Sequence, residues 1–148
     1  MANYLLVAAL IFTSLAASRD VFAQADVIEK RQQVMKEQSA AAKAIKGAVE
    51  SKNFATIETK AKELMGTSEK IVELFPKGST KGKTKATAVI WEKHDEFAKA
   101  AKNLDKAATD LADAAKSKDE AAVGVKAKAV TEACGSCHKA FRADKYSE

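Results

Sequence analysis

Two cysteines and two histidines are all that the 148-residue chain possesses, and three of those four residues fall within Cys134-Gly135-Ser136-Cys137-His138. On a helix, residues three and four apart share a face, so both thiols and the imidazole can address one planar group. Cys-x-x-Cys-His is the spacing of c-type haem attachment. The thiols add across two vinyl groups as thioethers, and the imidazole reaches the iron as proximal ligand. Other chemistries also use paired cysteines. A Cys134–Cys137 disulfide suits an oxidising compartment. A thioredoxin-like dithiol normally opens a helix after a strand, and no strand–helix alternation is readable in this chain. Structural zinc draws on a second ligand pair, which the sequence lacks. One covalent haem c per chain is the favoured reading.

Helices must position these groups. The chain is 47% hydrophobic but only 6% aromatic, with a single proline, Pro76; sparse strand formers and abundant alanine and lysine argue for an all-α fold. Four segments are predicted. The first runs from about Asp26 to Val49, with Asp26 and Glu29 as a capping pair and Ile28, Met35, Ala42, Ile45 and Val49 on one face. The second runs from about Phe54 to Phe75, before turn residues and lysines from Pro76 to Gly82 break the pattern. In the third, Ile90, His94, Phe97, Ala101, Leu104, Ala108, Leu111 and Ala115 trace one continuous face. Ser117 with Glu120 reads as the capping box of the fourth, whose stripe is Val123, Ala127, Val130, Cys134, Cys137 and Phe141. Short connections make neighbours antiparallel, giving an up-down-up-down four-helix bundle.

Residues 1–23 read as a leader. Tyr4 to Ala17 is a nearly unbroken apolar run, too short for a convincing membrane span. Ser18-Arg19-Asp20 then precede Val21 and Ala23, a small-residue cleavage pattern that leaves a haem domain of residues 24–148. Export to the periplasm suits haem attachment, and no membrane association is expected once the leader is removed. The net charge of +5 is interleaved with acids, a solvated surface and not a nucleic-acid footprint.

Position narrows the kind of haem protein. Only Lys139–Glu148 follows the motif, and no methionine lies downstream of His138, unlike the small mitochondrial-type cytochromes. A haem motif closing the last helix of a four-helix bundle resembles the class II cytochromes c, the cytochrome c′ group. Asp26-Val27-Ile28-Glu29-Lys30-Arg31-Gln32-Gln33-Val34-Met35-Lys36 resembles that family's first helix. Leu74-Phe75-Pro76, Ile90-Trp91-Glu92, and Phe141-Arg142 after the motif are similar to it as well.

The resemblance implies that Arg31 approaches a haem propionate and that Met35 faces the iron opposite His138. The pattern on helix one independently places Met35 on the apolar stripe. Ligation by the Met35 thioether implies a six-coordinate, low-spin electron carrier that serves redox partner proteins. If Met35 only fills space, the iron is five-coordinate and high-spin, and binds small gases such as nitric oxide or carbon monoxide. The first alternative is preferred on sequence. Arg142 is a further haem-edge candidate, and Trp91 and Phe141 are expected beside the porphyrin. His94 is a weaker competing ligand, expected to be satisfied or partly exposed. No enzymatic turnover is expected, since Met35 offers no distal acid–base group. Resemblance to the high-spin members allows a monomer or a homodimer through the first two helices.

Overall fold

Buried positions recur every three or four residues along the second and third long helices, where alanines at Ala61, Ala101 and Ala108 let the helices approach closely. The computed structural model describes the backbone of residues 3–80 and 82–146, with side chains from residue 25 onward within those ranges. The elements are α1 (Asn3–Glu50), α2 (Phe54–Ser68), a 3₁₀ turn (Val72–Leu74), α3 (Val89–Glu92), α4 (His94–Lys116) and α5 (Glu120–Phe141). The four long helices form the expected all-α up-down-up-down bundle. α1 packs on α2, α2 on α4 and α4 on α5, whereas α5 touches α1 only lightly. The core runs through Ala41, Ile45, Ile57, Ala61, Leu64, Phe97, Leu104, Ala108, Leu111, Val123 and Val130. Among the described residues, no helix is long and apolar enough to cross a membrane.

Helix boundaries differ from the sequence reading in four places. Asp26 caps nothing, because α1 runs unbroken through it from Asn3; the side chains flanking the cleavage site expected after Ala23 lie outside those described. α2 stops at Ser68, short of Phe75. There Thr67 Oγ1 bonds to the Glu63 and Leu64 carbonyls and Ser68 Oγ to that of Met65. Such hydroxyls compete with the helical ladder, and Gly66 beside them adds backbone entropy against the helix.

The third predicted helix is two. Lys93 leaves helical geometry at φ −123°, ψ 48° between α3 and α4, and His94, the first residue of α4, is exposed. Finally, Ser117 closes α4 and does not open α5. Lys118 turns through a positive φ of 55°, and Asp119 becomes the N-cap, its carboxylate accepting from the Ala122 N–H at 2.9 Å.

Candidate haem-binding site

α1 and α5 are held apart by a cavity of about 430 Å³ lying over α4, within the usual size of cofactor sites, about 300–1,000 Å³. α5 contributes Cys134, Cys137, His138 and Phe141 to its wall, with Arg142 at its end. Arg31 and Met35, one helical turn apart, line it from α1. Ala101 and Leu104 of α4 form its floor. All six candidate residues, Cys134, Cys137, His138, Met35, Arg31 and Arg142, thus meet in one place. His94 does not line it, and neither does Trp91, whose indole N–H is taken by the Phe75 and Pro76 carbonyls, both at 3.0 Å.

Three aromatic rings pack together at one end of the cavity. Phe97 sits edge-on between Phe75 and Phe141, with ring centroids 4.9 and 5.3 Å apart, the arrangement aromatic quadrupoles favour. The loop before α3 is tied to the end of α5. Ala86 bridges Arg142, the Ala143 N–H donates to the Lys85 carbonyl at 2.8 Å, and the Thr87 N–H donates to that of Phe141 at 3.1 Å. This clip closes one side of the cavity. It was not legible in the sequence, because a bridge of single residues leaves no periodicity. Phe75 and Phe97, named from sequence only as helix-pattern residues, line the cavity too, as do the clip residues Lys85 and Ala86, which the sequence reading did not name.

Burial sets the chemistry of the site. Cys134 and Cys137 are half-buried and unbridged. Burial raises both thiols above their ordinary value, and for Cys137 the neighbouring Cys134 adds to the rise. Burial thus favours the thiol form over the thiolate, which is the form that captures metal. No group of three or more potential metal ligands gathers among the described residues, which argues against zinc. His138 is pushed below its ordinary value, first by burial and then by the nearby positive charge of Arg142. The neutral imidazole thus favoured is the form that binds metal.

Arg31 tests whether an anionic prosthetic group fits. Only 3% of it is exposed. Its Nη2 donates to the Ser79 carbonyl at 2.7 Å, and its guanidinium lies 4.6 Å from the centre of the Phe75 ring. Nε and Nη1 are buried without a hydrogen-bond partner among the described residues, and burial pulls the pKa down to about 10. A buried cation with two unmet donors is costly. A carboxylate entering this cavity, such as a haem propionate, would supply acceptors for these donors. Cavity size, thiols, neutral imidazole and orphaned guanidinium all fit haem.

The comparisons with known proteins agree. The family model described as Cytochrome C' matches residues 26–142. Cytochrome c′ of Rhodospirillum rubrum is 40% identical over 85 residues, covering 57% of this chain and 58% of that protein. Over a longer span, cytochrome c′ of Pararhodospirillum photometricum is 35% identical across 119 residues, 78% of this chain and 94% of the relative. Among solved structures, cytochrome c′ of Thermochromatium tepidum superposes with a TM-score of 0.76 at 27% identity, covering 82% of this chain and 97% of that one. Cytochrome c prime of Shewanella frigidimarina reaches the same TM-score at 28% identity, with the same coverage. With the bundle, the attachment motif at the end of its last helix and a family match running from Asp26 to Arg142, the chain belongs to the cytochrome c′ family, whose covalent group is haem c.

Proposed function

We propose that this chain is a periplasmic cytochrome of residues 24–148, freed of a leader over residues 1–23, whose haem c binds small neutral gases on its distal side. Haem bound in the cavity would supply a redox-active iron. Cys134 and Cys137 would hold it by thioethers, His138 would offer its neutral imidazole to the iron, and Arg31, with Arg142 at the mouth, would receive the propionates. The observation that carries this reading is the cavity itself, with His138 on one helix and Met35 on another lining the same space.

Met35 decides what the distal side does. A thioether is a weak ligand, and Met35 is already packed against the hydrophobic core, where methionine serves as an adaptable filler. Filling leaves the iron open. One solved cytochrome c′, 25% identical to this chain, is described as having an unusual ligand-controlled dimer dissociation; a fold-mate that responds to a ligand supports an accessible iron here. The second reading, electron carriage with Met35 as sixth ligand, is favoured by the position of Met35 on the cavity wall.

Stopped-flow mixing of the ferrous protein with carbon monoxide separates the two readings. Gas binding implies rapid, single-phase binding, with Met35→Ala at least as fast and the starting spectrum still high-spin. Slow binding at a rate independent of carbon monoxide concentration, abolished by Met35→Ala with conversion from low to high spin, would establish Met35 as a ligand.

A further inference from the structure

Charge is unevenly spread over the molecule. Away from the cavity, acids are interleaved with the lysines, and several pair: Lys62 with Glu58, Lys60 with Glu63, Lys93 with Glu96, Lys52 with Glu120, and both Lys106 and Lys126 with Asp110. The cavity is different. Lys36, Lys85 and Arg142 join Arg31 in its lining, and no described lining residue is Asp or Glu. Glu37, next to Lys36, instead lines a smaller groove of about 270 Å³ between α1 and α2 and accepts a hydrogen bond from Gln33. Asp144 is the nearby acid, in the tail beyond Arg142, where its backbone carbonyl accepts from Lys85 Nζ at 2.7 Å.

The lip also carries an aromatic platform. Tyr146 lines the cavity yet is 51% exposed. Lys83 and Lys85 lie 5.7 and 5.0 Å from the centre of its ring, within cation–π range. Propionates would neutralise buried Arg31 and one further charge. Exposed Lys36 and Lys83, with half-buried Lys85, leave the rim positive. An exposed tyrosine flanked by cations beside a redox-active cavity has the composition of a recognition surface: an amphipathic aromatic for contact area and charges for steering.

We propose that this rim docks an acidic one-electron donor protein. The proposal rests on the haem reading given above: carbon monoxide binds ferrous and not ferric haem, so an iron in the ferric state must gain one electron before it takes up that gas. The donor loses one electron and the iron gains it, with no atom transferred. Anionic groups on the donor face Lys36, Lys83 and Lys85, and Tyr146 lies at the contact.

Flavodoxin, an acidic one-electron flavoprotein, is a suitable probe. Binding of flavodoxin to the haem-loaded protein is measured by calorimetry and by amide shift changes in low and moderate salt. Lys36→Glu, Lys83→Glu and Lys85→Glu are each expected to weaken binding by about fivefold, with unchanged circular dichroism and, for Lys83→Glu, which lies outside the cavity lining, an unchanged haem spectrum. Lys102→Glu, exposed on α4, is expected to leave it within about twofold, and added salt weakens the complex as it screens these charges. Shifts should gather at the rim and the clip. Equal weakening by Lys102→Glu, shifts centred on α2, insensitivity to salt, or no complex at all would overturn the proposal, the last pointing to a small-molecule reductant. A purified protein whose mass lacks covalent haem would overturn the cofactor reading and this proposal with it. Failure to bind by a haem-loaded protein overturns the docking alone.

Discussion

Arg31 and His138 show how a binding site is written in single residues that folding alone disfavours. A half-buried imidazole and a buried guanidinium with two unmet donors both cost the unloaded fold. His138 has its pKa lowered by burial, so the unfolded chain takes up a proton that the folded one refuses. Stability is therefore fully present above the ordinary value of 6.5 and falls as pH drops below it toward the lower folded value. For protein prepared without haem, the urea midpoint should fall between pH 7.5 and pH 5, and His138→Gln should flatten that dependence. A profile unchanged by the substitution would remove His138 from the buried site. The attachment motif was the most legible part of the chain, because thioether chemistry fixes residue type and spacing together. Arg31 was legible only through a family resemblance; nothing local to Gln32 or Lys30 separates a buried arginine from a solvated one.

At the scale of elements, periodicity located every long helix but not its ends. The face of α4 from Phe97 through Ala101, Leu104, Ala108, Leu111 and Ala115 is buried as the spacing requires. Its continuation back to Ile90 hides a break at Lys93, since a single non-helical residue hardly disturbs a pattern of threes and fours. The start of α5 illustrates the same weakness. Ser117 and Asp119 both precede helix-forming residues, and only the left-handed turn at Lys118 selects Asp119 as cap. Asp119→Ala should lower stability by about 1 kcal/mol, read from urea unfolding, while Ser117→Ala should change it far less. The reverse order would restore the capping box inferred from sequence. This cap lies at the opposite end of α5 from the attachment motif, so neither substitution should alter haem incorporation.

For the whole molecule, the light contact between α1 and α5 is the structural counterpart of the cavity. α2 and α4 bury their faces against each other along their lengths, whereas α1 and α5 meet across a space sized for a cofactor. The bundle thus has a closed half and an open half. Amide hydrogen exchange on protein lacking haem should show Arg31 to Gln38 of α1 and the second half of α5 opening well before α4, with haem attachment slowing both segments. Uniform exchange across the four helices would mean that the cavity costs the fold nothing. That openness also frames the central claim, an iron held by His138 with its other face left open by Met35. Electron paramagnetic resonance of the purified ferric protein at neutral pH tests it most directly. The expected result is a high-spin ferric signal that Met35→Ala leaves high-spin; a low-spin signal converted to high-spin by that substitution would contradict it.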